Sequence, residues 1–324
     1  MRHKAAGILA ATIGLSALVV AVPAMAQGFS FTTVDVSGAT GTYARGVNDS
    51  GSVVGYYFAN SGYHGFIDVK GAFTPINVLG ADHTFAMGIN GVGDVAGSYR
   101  DSSGSHGFVD SKGIFTTISA PGADSTSVYG INNSGAVVGT YHSQSAGTQG
   151  FIEMNGVFTP LSVTGAIDTH ASGINNSGEV VGYYDNNSGA HAYIYSNGVF
   201  TTITHQGDTF AYGINDAGTV VGYYYGPGGF NQSFVDANGV LTPISVPGGT
   251  NAVALGINNA GVVTGYYTGD PGSDHGFIAT PTSAAPEPST WALMLLGIGG
   301  LGAALRVRNK GERFTKNAAS MAGL

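Results

Sequence analysis

Gly88-Ile89-Asn90-Gly91-Val92-Gly93-Asp94-Val95-Ala96-Gly97-Ser98-Tyr99 decides the fold, because the chain repeats its pattern. Gly-Ile/Val-Asn begins at Gly46, Gly88, Gly130, Gly173, Gly213 and Gly256, at spacings of 42, 42, 43, 40 and 43 residues. Nine residues after each comes a second glycine: Gly55, Gly97, Gly139, Gly182, Gly222 and Gly265. Two positions further on stands a tyrosine: Tyr57, Tyr99, Tyr141, Tyr184, Tyr224 and Tyr267. A period of about 40–45 residues is the length of a four-stranded propeller blade.

Working outward from that stretch, each unit reads as four short strands. In the second unit they cover residues 84–90, 94–100, 106–110 and 114–120. The turn after the first strand recurs as Asn132-Asn133-Ser134-Gly135 and Asn215-Asp216-Ala217-Gly218. Asn and Asp bond their own backbone and Gly supplies a positive φ, which is hairpin chemistry. Asn155-Gly156, Asn197-Gly198 and Asn238-Gly239 mark the other tight hairpin. The first five units carry all four strands. The sixth stops after Phe277-Ile278-Ala279-Thr280, and an unattached fourth-strand pattern, Phe31-Thr32-Thr33-Val34, lies before the first unit. Returning that strand to the sixth unit leaves no ragged edge. The expectation is an all-β, six-bladed β-propeller over residues 27–280, closed by the N-terminal strand and followed by a transmembrane helix. An open β-solenoid is the alternative.

Composition agrees with a turn-dense β protein. Of 324 residues 54 are glycine, only 9% are charged, and none is cysteine. Coiled coils and helical bundles need far more Ala, Glu, Lys and Leu. Disulfides, cysteine-ligated metals and thiol catalysis are excluded.

The two ends read as targeting segments. Residues 1–26 have a basic start (Arg2, His3, Lys4), an apolar run to Val22 and Ala24-Met25-Ala26, a signal-peptide pattern with cleavage after Ala26; an uncleaved anchor helix is the other reading. At the C-terminus, a linker over 281–288 carries Pro286-Glu287-Pro288. An uncharged stretch over 289–305 follows, then a basic tail over 306–324 with Arg306, Arg308, Lys310 and Arg313. Seventeen residues at 1.5 Å each span roughly 25 Å, the short limit for a membrane helix, and the basic side stays cytoplasmic. Gly297-Ile298-Gly299-Gly300-Leu301-Gly302 matches G-x-G-x-x-G, but lacks the acidic residue a dinucleotide site needs.

The order Pro-Glu-Pro, apolar segment, basic cluster resembles the PEP-CTERM sorting signal. The resemblance implies a Gram-negative-type envelope, processing near Pro286–Pro288 by an exosortase, and a link to extracellular polysaccharide or biofilm. Residues 311–324 extend past the point where that signal normally ends. The third strand begins His-Gly-Phe at His64, His106 and His275 and varies to His191-Ala192-Tyr193, Gln149-Gly150-Phe151 and Gln232-Ser233-Phe234. This resembles the HAF family of extracellular repeats, from which no catalytic residue carries over.

The search for chemistry is mostly negative. The repeat histidines share their position with Gln149 and Gln232, which points to a hydrogen-bonding role. His83, His142, His170 and His205 show no metal-ligand spacing. There is no nucleophile elbow and no phosphate loop. The repeats hold two glutamates, Glu153 and Glu179, and nothing selects a glycosidase pair from the carboxylates. Asp82, Asp124, Asp168 and Asp208 sit in loops entering the innermost strands beside threonines. They are candidate Ca²⁺ ligands, or Asx turns that tie their own backbone. No other cofactor is expected. Residues 27–285 hold 4 basic and 17 acidic residues, which argues against nucleic acid.

These readings point to an exported, non-enzymatic protein. It is displayed outside the cytoplasmic membrane and then at the cell surface or beyond, as a binding or matrix module for a glycan or protein ligand, with the exosortase as processing partner. A polysaccharide hydrolase or lyase on the same scaffold is the alternative, and an inert spacer a third. Variable loops after the repeat tyrosines mark the binding face, where Tyr63 and Phe230 could stack on sugars.

Overall fold

A computed structural model describes residues 28–282 apart from Ser61, Gln206, Pro227, Asp270 and Pro271. The signal-peptide, linker and basic-tail segments and the span predicted over 289–305 lie outside the described residues. Within them the chain is all strand and turn. Strand β1 (Gly28–Val34) precedes the first unit, β2 (Gly41–Val47), β3 (Val53–Ala59), β4 (Gly62–Val69) and β5 (Ala72–Ile76). The second is β6 (His83–Ile89), β7 (Val95–Asp101), β8 (Gly104–Ser111) and β9 (Ile114–Ile118). The third is β10 (Ser125–Ile131), β11 (Val137–Ser143), β12 (Gly147–Met154) and β13 (Val157–Leu161). The fourth is β14 (Asp168–Ile174), β15 (Val180–Asn186), β16 (Gly189–Ser196) and β17 (Val199–Thr202). The fifth is β18 (Thr209–Ile214), β19 (Val220–Tyr225), β20 (Asn231–Ala237) and β21 (Val240–Ile244). The sixth has three, β22 (Thr250–Ile257), β23 (Val263–Thr268) and β24 (Asp274–Thr282).

Hydrogen bonding corrects the expectation of a six-bladed propeller. Four sheets stand alone as four-stranded antiparallel blades, not six, and the strands of the first and sixth units share one eight-stranded sheet. In that sheet β1 lies antiparallel to β24 from Gly28–Thr282 to Val34–Gly276, and β2 meets β24 through a single parallel bridge, Gly41 to Asp274. The seam differs from its neighbours at one residue. At the start of four of the five other inner strands His83, Asp168, Asp208 and Asn251 each accept a hydrogen bond from the neighbouring unit's backbone N–H. Gly41 has no side chain to place there, so backbone meets backbone and two sheets become one. The described residues contain no helix, and so none long and apolar enough to cross a membrane, and the transmembrane helix expected over 289–305 lies outside them.

The repeated glycines have two separate causes. Inner strands β2, β6, β10, β14, β18 and β22 surround a central channel and pack backbone against backbone. A Cβ on Gly130 would stand 3.2 Å from the Cα of Gly173, and one on Gly256 3.1 Å from the Cα of Gly46. The second glycine faces a bulge. Each inner strand skips one residue against its partner, as between Val128 and Gly130. The skip drives a carbonyl over the second strand: a Cβ on Gly139 would lie 1.9 Å from the oxygen of Ser127. Above it packs the aromatic ring of the His-Gly-Phe motif. Phe66, Phe108, Phe151, Phe234 and Phe277, with Tyr193 in the fourth unit, are all buried. They form the cores between successive units with Val54, Val138, Val181 and their equivalents.

Asn90 and its five equivalents tie the units into a circle. Each Nδ2 donates to the next unit's asparagine carbonyl: Asn48 to Asn90, then Asn132, Asn175, Asn215, Asn258 and back to Asn48, at 3.0–3.3 Å. Each Oδ1 accepts backbone N–H groups of its own turn, as Asn132 does from Ser134 and Ala136. The outer hairpins are type I′ turns with positive φ at both central residues, such as Lys70-Gly71 and Asn155-Gly156. An acidic side chain three residues before the glycine accepts its N–H, Asp68 from Gly71 and Asp110 from Gly113.

Candidate functional site

The bulges aim side chains. The residues they skip, Arg45, Met87, Tyr129, Ser172, Tyr212 and Leu255, all line the channel, as bulges re-aim side chains elsewhere. Arg45 lies 5.7 Å over the ring of Tyr212. Behind this layer, burial pushes the hydroxyls of Tyr43, Tyr56, Tyr183 and Tyr223 upward, and that of Tyr266 up to about 12. The channel is narrow. Its cavity at the glycine layer is about 80 Å³, as is that at the asparagine ring, well below the ~300 Å³ at which small-ligand pockets begin.

Two larger cavities open between units, on the face opposite the asparagine turns. One, about 290 Å³, lies between the fifth and sixth units. Phe230 stands at its edge, 55% exposed, beside Asn231, Gln232, Ser245, Thr250 and Asn251. Asn251 Oδ1 accepts the Asn231 N–H at 3.3 Å, and Tyr224 donates to Gln232 Oε1 at 3.4 Å. The second, about 380 Å³, occupies the equivalent place at the seam between the sixth and first units, where Asp35, Ser273 and His275 replace Ser245 and Gln232 chemistry.

The four predicted aspartates do not share one register. Asp168 and Asp208 directly precede Thr169 and Thr209, whereas Asp82 and Asp124 lie two residues before Thr84 and Thr126. Asp168 Oδ1 accepts the Thr148 N–H and Asp208 Oδ1 that of Ala190, each in the neighbouring unit; Asp124 Oδ2 accepts that of Gln144. Thr84, Thr126 and Thr169 take backbone N–H groups of their own loops. Among the described residues no three His, Asp or Glu side chains gather as a metal site would require. Asp168 faces Asp185 across β14 and β15, and burial raises the Asp185 carboxyl while lowering His170 beside it. Glu153 accepts the Gly156 N–H of its hairpin, and Glu179 the Asn175 amide.

The repeat histidines are cross-strand partners of the repeat tyrosines. His64, His106, His191 and His275 lie 5.1–5.5 Å from Tyr57, Tyr99, Tyr184 and Tyr267. Where glutamine replaces histidine, the tyrosine donates to it, as Tyr141 does to Gln149 at 2.7 Å. Tyr63 is half-buried among Tyr56, Phe58 and Phe85. Sequence reading singled out Phe230 but missed both inter-unit cavities, whose walls come from segments up to 240 residues apart.

A comparison with curated protein sequences finds no match. Solved structures share the architecture at low identity. The SapL1 lectin, solved with α-methyl fucoside, matches with a TM-score of 0.51 at 13% identity, over 77% of this chain and 98% of that one. TolB of Acinetobacter baumannii matches at 0.49 and 12%, over 71% of this chain; the chain spans only 63% of TolB's length. The Aleuria aurantia lectin matches at 0.49 and 8%, over 79% of this chain and 100% of that one. The SapL1 likeness bears on the fold alone. The repeats' resemblance to the HAF family gains no support. Residues 284–309 match the PEP-CTERM protein-sorting motif, so the protein is an exported one, targeted to exosortase and sorted to the cell envelope.

Proposed function

We propose that this is a surface-displayed carbohydrate-binding module whose site is the cavity between the fifth and sixth units. The observation that carries the reading is the composition of that cavity. An exposed aromatic ring, Phe230, stands beside the amides of Asn231, Gln232 and Asn251 and the hydroxyls of Ser245 and Thr250. A pyranose presents an apolar face of C–H groups and a rim of hydroxyls, which ask for a ring to stack on and for groups that both donate and accept. The absence of charge from this wall favours a neutral sugar. The fold shared with a lectin solved in complex with α-methyl fucoside supports the reading, as does sorting to the envelope.

Retention at the cell surface by glycan contact would not need catalysis, so the module is proposed as non-enzymatic at this cavity. Titration of the full chain with a panel of methyl glycosides, followed by NMR or calorimetry, tests it. One glycoside is expected to bind in the millimolar to high-micromolar range usual for single shallow sites. Phe230→Ala and Gln232→Ala should each weaken that binding about 10-fold, roughly 1.4 kcal/mol. Binding that survives both substitutions would place the sugar elsewhere, and no binding by any glycoside would overturn the proposal.

A further inference from the structure

The seam cavity holds a hydrogen-bonded series not repeated among the described residues of the other units. Ser273 Oγ lies 2.8 Å from His275 Nε2, and His275 Nδ1 lies 2.9 Å from Asp35 Oδ2. An ionised carboxylate can only accept, so Asp35 fixes the proton on Nδ1. Nε2 is then bare and takes the Ser273 hydroxyl proton as its hydrogen bond. That is the relation of a nucleophile, a general base and the group that orients the base.

The repeat supplies internal controls. Ser103 and Ser188 also lie 2.9 Å from a repeat histidine, His106 and His191. Their hydroxyls, however, donate to the turn acceptors Asp101 and Asn186 at 2.6 Å. Those serines close a loop and have no proton to offer the ring. In the sixth unit Gly269 stands where Asp101 and Asn186 stand, so no such side-chain acceptor exists at that position. Its bareness also makes room: a Cβ on Gly269 would lie 2.8 Å from His275 Cδ2 and 3.0 Å from Nε2. The carboxylate arrives with the segment after β1, at the position held by Asn77 in the first unit and Ser245 in the fifth. Asn77 sits 3.4 Å from His64 Nδ1 and is neutral. Among the described residues, the seam is where a carboxylate and a hydroxyl meet on the two nitrogens of one repeat imidazole. They open on a cavity of about 380 Å³, and His275 keeps 28% of its side chain exposed.

We propose that Ser273 is an activated nucleophile and that the seam cavity hydrolyses small acyl esters. Ser273 Oγ adds to the acyl carbon as its proton passes to His275 Nε2. The tetrahedral adduct collapses, the bond to the alkoxy oxygen breaks, and the imidazolium gives its proton to the departing alcohol. Water then attacks the acyl-serine, with Nε2 taking and returning its proton, and releases the carboxylic acid. The cavity admits an acyl group with a few further atoms; Val36, Thr40 and Thr42 complete its wall, and its second carboxylate, Asp274, accepts the hydroxyls of Tyr43 and Thr268. This inference is independent of the carbohydrate reading, which concerns the other cavity.

A fluorophosphonate probe on the full chain tests it, since attack on phosphorus expels fluoride and leaves a stable serine adduct. One adduct per chain is expected, placed on Ser273 by peptide mass, with turnover of p-nitrophenyl acetate above the buffer rate. His275→Asn should slow labelling about 100-fold or more, and Asp35→Asn at least about 10-fold by releasing the tautomer. His191→Asn should leave the rate unchanged. No adduct on Ser273, an adduct shared equally with Ser103, or labelling unaffected by His275→Asn would each overturn the proposal. The site of labelling in the unmodified chain decides the first point even if a variant fails to fold.

Discussion

At the scale of the residue, the glycine nine positions after each Gly-Ile-Asn start is set by a clash rather than by a turn. Its φ is not positive, yet a Cβ on Gly139 would meet the Ser127 oxygen at 1.9 Å and the Phe151 ring at 3.0 Å. Nothing there can yield, because the oxygen belongs to a bulged backbone and the ring to a filled core. Gly139→Ala is therefore expected to cost about 3 kcal/mol or more, read as a lower urea midpoint at unchanged slope. Gly135→Ala, in a solvent-facing turn with φ of 83°, should cost about 1 kcal/mol through its backbone alone. The spacing of these glycines was plain in the sequence, but the bulge was not. A skipped residue leaves the apolar alternation of so short a strand almost unchanged. For that reason the channel-facing side chains of Arg45, Tyr129 and Tyr212 could not be told from ordinary core residues.

At the scale of the element, β1 has a fourth-strand pattern detached from its unit, and in the structure it covers the edge of β24 over seven residue pairs. Phe31 meets Phe277 edge-on at 6.1 Å, and Val34 is 4% exposed. Deleting residues 28–34 should lower stability by about 3–5 kcal/mol from the lost apolar burial. It should also make the chain associate through the bared edge, visible as a concentration-dependent shift in gel filtration. A deletion mutant that stays monomeric with an unchanged melting temperature would contradict this. The strand boundaries and both hairpin types were legible, because Asn-Gly and Lys-Gly pairs leave few other options. The separation into six sheets was not met, because a side chain missing at Gly41 lets two sheets join. No composition or period reports on that. The loop aspartates all stand beside threonines, yet Asp168 and Asp208 lie one residue nearer theirs than Asp82 and Asp124, which puts the two pairs in different registers.

At the scale of the whole molecule, the inner layer is rich in buried phenols. Tyr56, Tyr183, Tyr193, Tyr212, Tyr223 and Tyr266 all hold their protons more tightly than the ordinary value of 10.0, chiefly through burial. A pKa raised in the native state means that the unfolded chain loses its proton first. The stabilisation is complete below pH 10 and is lost as pH climbs through the native values, that of Tyr266 being about 12. The domain should therefore unfold cooperatively above pH 10, with tyrosinate absorbance at 295 nm rising in step with the loss of β-sheet circular dichroism. Phenols that titrate one by one near pH 10 without unfolding would show that they are exposed. Gly28 pairs with Thr282, so the two ends of the described chain lie side by side. Joining them with a short linker and cutting instead at Asn155-Gly156 would give a circularly permuted protein whose chain runs unbroken across the old seam, with the break moved into the third unit. The seam residues Asp35 and His275, now 240 positions apart, would then fall within one short stretch of chain.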